Sequence, residues 1–249
     1  MKNPHRSRFR VRSYETDPQD RLRIPILCQF LQEAATTHAA ILGVAVEVLI
    51  DSGFAWVLSR LQLEMERWPG ADEEIVIETW PDALNRLFTE RKFLIFDVSD
   101  RRIGTATTLW LVLDLGRRRP IRLPARVVER LTALGLDHTP KRGGDLSPPD
   151  PIDHEIPFTV RRSDLDLAGH VNNTSYVEWA VEAVPDEIWD IHELASLEIK
   201  FLSECHHGQT VMSRSQLIDR EEGIEVRHQL MRPDDDTDVA RARTSWRPR

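Results

Sequence analysis

The chain is poor in the features that mark exported, membrane-spanning and nucleic-acid-binding proteins. Two cysteines in 249 residues, Cys28 and Cys205, give no disulfide framework. Cys28 also sits inside an apolar helical pattern where a buried thiol is ordinary. No apolar run approaches the ~20 residues needed to cross a bilayer, and Met1-Lys-Asn-Pro-His-Arg lacks the apolar stretch of a secretory signal. A cytoplasmic protein with no membrane partner is expected. A formal net charge of -8 removes the basic face that general nucleic-acid binding requires. Zinc-type spacings such as Cys-x₂-Cys and His-x₃-His are missing too. Glu204-Cys-His-His207 is the one stretch that invites a metal reading, but adjacent strand residues face opposite ways, so Cys205, His206 and His207 are not expected to converge. His38 reads as a partly buried polar neighbour, and neither a metal nor a cofactor is expected.

What the chain does have is concentrated in Ser163-Asp-Leu-Asp-Leu-Ala-Gly-His-Val-Asn-Asn-Thr-Ser-Tyr-Val-Glu-Trp179. Two acids, an imidazole and two amides lie in a turn that runs into an apolar helix. Asn172 and Asn173 are good caps, Thr174 to Val184 has Tyr176, Trp179, Ala180 and Ala183 on one face, and Pro185 stops it. Asp166 and His170 therefore fall beside a helix N-terminus, where unpaired N–H groups and the helix dipole favour developing negative charge. Ordinary capped turns also carry surface acids, so the segment alone leaves both readings open.

The chain repeats itself. A shift of 149 aligns Phe9–Ala34 with Phe158–Ala183 without a gap, with six identities in 26 positions: Phe9/Phe158, Val11/Val160, Arg12/Arg161, Asp17/Asp166, Glu33/Glu182 and Ala34/Ala183. A second shift, of 138, places Leu61 to Gly70 on Ile199 to Gly208 and pairs Glu66 with Glu204. Two copies of one unit account for this. Each copy opens with an extended segment and a helix, Ile24 to Gly43 in the first. Strands follow at Trp56 to Met65, Glu74 to Trp80, Leu87 to Val98 and Gly104 to Leu115, then at Leu197 to Cys205, Thr210 to Asp219, Gly223 to Arg232 and Val239 to Trp246. Without βαβ alternation the sheets should be antiparallel. Leu123 to Leu134 reads as a helix closing the first unit.

Thr139 to Pro151, with four prolines and two glycines, separates the copies. The expected division is residues 1–138, a linker of 139–152, and 153–249. Because an open sheet edge is a liability, the two units are expected to pair into one continuous, pseudo-dimeric sheet. At the position of His170 the first copy has Arg21, and at Ala168 it has Gln19, so only the second copy holds the full polar set.

The pattern Asp-Leu-Asp-x-x-x-His-Val-Asn-Asn-x-x-Tyr-x-x-Trp resembles the C-terminal half of the acyl-acyl-carrier-protein thioesterases, double hot-dog enzymes of fatty acid synthesis. Phe9-Arg-Val-Arg-Ser-Tyr-Glu15, Leu31-Gln-Glu-Ala34, Trp56-Val-Leu-Ser-Arg60 and Glu193-Leu-Ala-Ser-Leu197 leading to Glu204-Cys205 are similar to that family's landmarks in the same order. The resemblance implies an α+β fold of two tandem hot-dog units and a thioester hydrolase that releases free fatty acid from an acyl carrier protein. It implies Asp166, His170 and Glu204 as catalytic residues, and Cys205 at a position also considered catalytic. Glu204 is the expected base, His170 a donor or proton shuttle, and Asp166 the group fixing His170 or the water. For Cys205 a small buried hydrophobe is the preferred reading, because nothing in the sequence lowers its pKa.

The helix and strands of the first half, with Trp56, Met65 and Phe88, would shape the acyl tunnel, and Asn172 and Asn173 are caps or substrate contacts. Basic clusters at Lys2 to Arg12, at Arg117-Arg-Arg119 with Arg122 and Arg126, and at Lys141-Arg142 could steer an acidic carrier. Ala168 departs from the family, which has asparagine there. A non-catalytic acyl-binding or sensing module therefore stands as an alternative, and so does an acyl-CoA thioesterase of the same fold, distinguished by whether carrier protein or coenzyme A carries the acyl group. Monomer and homodimer are both open.

Overall fold

A computed structural model describes residues 4–136, 139–140 and 143–249. Lys2, Lys141 and Arg142 of the basic clusters, the part of the linker at 141–142, and residues 137–138 at the expected end of the first unit lie outside the described residues. The chain divides into two compact units, one of residues 1–61 with 66–143, the other of 62–65 with 144–249.

The first unit contains β1 (His5–Arg10), α1 (Ile24–Ile41), α2 (Val46–Ile50), β2 (Phe54–Met65, whose last four residues group with the second unit), β3 (Glu74–Leu84), β4 (Phe88–Asp97), β5 (Arg102–Asp114), β6 (Arg119–Ile121) and α3 (Ala125–Thr132). Its sheet runs β1-β3-β4-β5-β2, with β6 paired to β5. Pro25 at the start of α1 fits the one place where a missing N–H costs nothing. Leu27, Leu31, Ala34, Ala35 and His38 recur at helical spacing and are buried against the sheet. Gly43, at φ +69°, then turns the chain out of the helix. The short α2 and β6 carry too little periodicity to be expected from sequence.

The second unit contains β7 (His154–Thr159), α4 (Asn173–Glu182), α5 (Asp186–Ile191), β8 (His192–Phe201), β9 (Thr210–Arg220), β10 (Gly223–Arg232) and β11 (Thr237–Pro248). Its sheet runs β8-β11-β10-β9-β7, with antiparallel pairing throughout. Buried Ser213 and Ser215 of β9 donate to the carbonyls of Trp179 and Ala183, which satisfies acceptors that the end of α4 leaves open. Pro185 ends α4 as expected, but it also serves as N-cap of α5, a helix the sequence reading did not place. One helix against an antiparallel sheet, twice, is the hot-dog plan.

The 149-residue register holds in three dimensions. β1 and β7, a single 3-10 turn at Ser13–Glu15 and another at Arg162–Asp164, and the first residues of α1 and α4 are all offset by that number. Even the ring pairs repeat: Phe9 stacks on Phe30 at 4.6 Å and Phe158 on Trp179 at 5.8 Å.

The second register is corrected. The N–H groups of Glu66 and Arg67 both reach the carbonyl of Ile103, and those of Leu202 and Ser203 both reach that of Val239. Leu22 N–H bonds Pro69 O as Val171 N–H bonds Cys205 O. Beyond the strand ends the offset is therefore 136, and the counterpart of Glu204 is the buried Trp68, not Glu66.

Candidate active site

The second unit builds its polar cluster from two loops. The first is the turn before α4. Asp166 Oδ1 accepts from the N–H of Ala168 at 2.9 Å and of His170 at 3.2 Å, while Asp166 N–H donates to His170 O at 2.8 Å. This is an Asx-type turn closed at both ends, and Gly169 at φ +79° supplies the left-handed residue it needs. Asp166 thus fixes the backbone of His170. Asn172 caps α4: its Oδ1 accepts from Thr174 N at 3.0 Å and Thr174 Oγ1 at 2.9 Å, and Ser175 N–H bonds Asn172 O. Of the three amides from Asn173 to Ser175, only that of Asn173 has no partner among the described residues.

The second loop follows β8. The strand was expected to run to Cys205, but it ends at Phe201, where Leu202 and Ser203 oppose a single carbonyl in a bulge. That bulge frees the next residues from strand alternation. Glu204 consequently turns to His170, with Glu204 Oε2 at 3.5 Å from His170 Nε2 and both side chains about one-third exposed. His206, from the same loop, joins them. Its ring lies 5.1 Å from that of His170, and ligand atoms of His170, Glu204 and His206 all fall within 4.8 Å of one another. Two imidazoles and a carboxylate are a donor set that suits zinc.

Cys205 is fully buried, and burial raises its thiol pKa, outweighing hydrogen bonds from Tyr176 and Arg232 that act the other way. A neutral thiol packed in the wall is the resulting species, and a protonated thiol is a poor nucleophile. Burial likewise pushes Cys28 up to about 12. Tyr176 is buried, with its hydroxyl 3.5 Å from Ser203 O. Arg232 was missed by sequence reasoning. From the end of β10 its Nη1 donates to the carbonyl of Glu204, and Nε and Nη2 are held by Asp235 at 3.2 and 2.8 Å. No motif signals it, because its role is to hold a main-chain oxygen.

The first unit repeats the turn with different side chains. Asp17 Oδ1 accepts from Gln19 N and Arg21 N, and Oδ2 takes Arg21 Nε at 2.9 Å. Trp56 lies elsewhere in that unit, donating to Val44 O at 2.9 Å and lining an apolar cleft. The N-terminal basic cluster is largely matched by acids: Arg6 pairs with Asp100, Arg10 with Asp72 and Arg12 with Glu15.

Residues 2–131 match the acyl-ACP thioesterase N-terminal domain, and residues 150–248 match the acyl-ACP thioesterase C-terminal domain. The chain belongs to the acyl-ACP thioesterase family. It is 28% identical over 264 residues to a chloroplastic dodecanoyl-[acyl-carrier-protein] hydrolase of Cinnamomum camphora, covering 98% of this chain and 68% of that one. It is 30% identical over 265 residues to a chloroplastic acyl-[acyl-carrier-protein] hydrolase of Cuphea viscosissima, covering 98% of this chain and 62% of the relative. The chain thus spans a little under two thirds of that second relative. Among solved structures, the 12:0-ACP thioesterase from Umbellularia californica superposes with a TM-score of 0.87 at 27% identity, over 99% of this chain and 94% of that one. Among the described residues no helix is long and apolar enough to cross a membrane.

Proposed function

We propose that the protein is an acyl-ACP thioesterase that hydrolyses the thioester of an acyl-[acyl carrier protein] to a free fatty acid. The domain organisation follows the same reading: residues 153–249 carry the chemistry and residues 1–138 shape the acyl site, with Trp56 against the chain. The approach of His170 Nε2 to Glu204 Oε2, at 3.5 Å from two separate loops, carries the proposal. A base and a proton carrier that close can share one water.

In this reading Glu204 takes a proton as the water oxygen attacks the carbonyl carbon, and the carbonyl oxygen becomes an oxyanion. The Asn173 N–H at the start of α4 is placed to stabilise it, and the Asn173 side chain is a substrate contact. Collapse breaks the C–S bond, and the leaving thiolate recovers the proton through His170. A thiolate leaves readily, so little acid assistance is needed. Base assistance of ~10²–10⁴-fold and oxyanion donors of similar size suffice. Asp166, Arg232, Asn172 and the neutral Cys205 hold these groups in place.

One observation favours a second reading. Ala168 offers no side-chain donor where the family has an amide, and its backbone N–H is already committed to Asp166. A non-catalytic acyl-binding module fits that loss. Thiol release from acyl-ACP substrates of graded chain length, beside matched acyl-CoA esters, separates the readings. Turnover preferring the carrier supports the thioesterase, turnover preferring coenzyme A shifts the assignment to an acyl-CoA thioesterase, and silence with acyl ligand still bound favours the binding module.

A further inference from the structure

The apolar cleft of the first unit contains a charge that its surroundings do not explain. Ala35, Ala39, Val44, Trp56 and Leu131 line a partly open cleft, and Arg91 of β4 is in its wall. Arg91 is only 7% exposed. Its hydrogen bonds run from Nη1, to Nδ1 of His38 at 3.1 Å and to Oγ1 of Thr79 at 3.2 Å. Among the described residues no carboxylate forms an ion pair with it. Its strand neighbours Glu90 and Lys92 alternate to the other face, where Lys92 pairs with Asp82 at 2.7 Å. Burial lowers the guanidinium to about 10, which still leaves it charged at neutral pH.

A buried cation with no anion among the described residues is costly, and a purely aliphatic occupant would add to that cost by completing the desolvation. Nε and Nη2 have no hydrogen-bond partner among the described residues. These two nitrogens form the edge of the guanidinium that accepts a carboxylate in parallel, two-bonded fashion. The walls, in contrast, suit methylene groups. We propose that this cleft binds the carboxylate end of an aliphatic chain, the two oxygens on Nε and Nη2 of Arg91 and the methylenes against Ala35, Ala39, Val44 and Trp56.

Such a carboxylate has two sources: a free fatty acid, or an acyl chain carrying a second carboxylate at its far end. Naming the first as the reaction product and the second as substrate rests on the thioesterase reading, whereas the binding itself does not.

The test is calorimetric titration of the whole protein with dodecanoate and with dodecanol, which differ in the charged end. Wild-type protein is expected to bind the acid at least about ten-fold more tightly than the alcohol. Arg91→Met should erase that preference, and Ala39→Trp, which fills the cleft, should abolish acid binding. Equal affinity for acid and alcohol in the wild type overturns the proposal without recourse to any variant, as does a preference that survives in a folded Arg91→Met protein. Two kinetic arms then separate the sources. Inhibition of thioester hydrolysis by dodecanoate, relieved in Arg91→Met, identifies a site for the free acid. Faster turnover of an 11-carboxyundecanoyl thioester than of a dodecanoyl thioester identifies a dicarboxylic substrate. If no thioester is hydrolysed while the acid is still preferred over the alcohol, the thioesterase reading fails and the carboxylate site stands.

Discussion

The turn Asp17–Arg21 and the turn Asp166–His170 share one backbone and do different things. Both are closed by the same hydrogen bonds, and both place a left-handed residue fourth, Asp20 at φ 58° and Gly169 at φ 79°. In the first copy a guanidinium occupies the imidazole position and its Nη2 ion-pairs with Asp17 Oδ2 at 2.8 Å. Trp68 meanwhile fills the place that Glu204 holds in the second copy. Where the second copy presents an acid, an imidazole and a carboxylate, the first has a closed ion pair and, at the register position of the carboxylate, a buried indole. The two turns therefore differ in the side chains they carry and in the loop after the strand bulge, not in their backbone.

Several measurements sharpen or break that contrast. The largest expected effect is in the second copy: His170→Ala should lower kcat by ~10²–10³-fold in a folded protein, and near-normal turnover would remove His170 from the chemistry. Replacing Arg21 by alanine should leave kcat unchanged while removing a largely buried charge partner, so denaturant unfolding should report a loss of about 1–3 kcal/mol. Acid sensitivity gives a third effect. His228 is fully buried, accepts or donates only through Nε2 to Thr244, and is held down to about 3 by burial. Its folded pKa lies below the unfolded value, so its contribution is fully present above about 6.5 and declines as pH falls toward 3, with a slope of at most ~1.4 kcal/mol per pH unit. His228→Gln should flatten unfolding free energy between pH 6.5 and 4.5; an unchanged slope would contradict the assignment. Cys205→Ala should alter kcat by only a few fold, and a collapse of turnover with the fold intact would restore the cysteine as a nucleophile. The smallest effect is expected from chelation. EDTA should leave hydrolysis unaltered, and a loss reversed by zinc would make His170, Glu204 and His206 a working metal centre.

Much of the fold was legible in the sequence because hydrophobic periodicity and turn residues encode it locally. The strand Gly223–Arg232 was read with its observed ends, and the helix beginning at Ile24 with its observed start. The 149-residue repeat was readable from Phe9, Asp17 and Ala34 because the initial segment of each unit keeps the same spacing. What could not be read was set by hydrogen bonds between distant segments. The bulge at Leu202 and Ser203 depends on Val239, a residue on another strand, and it decides where Glu204 points. That same bulge made Glu66 look like the counterpart of Glu204. Arg232 acts on a backbone carbonyl and Arg91 through the absence of an acid, neither of which leaves a pattern along the chain.

If only the second copy works, acyl-ACP hydrolysis by Glu204→Gln and by Arg21→Ala, measured side by side with circular dichroism confirming that both are folded, should diverge. The first is expected to be nearly silent and the second to turn over like the wild type. Normal turnover by Glu204→Gln, or loss of turnover in Arg21→Ala alone, would contradict that expectation.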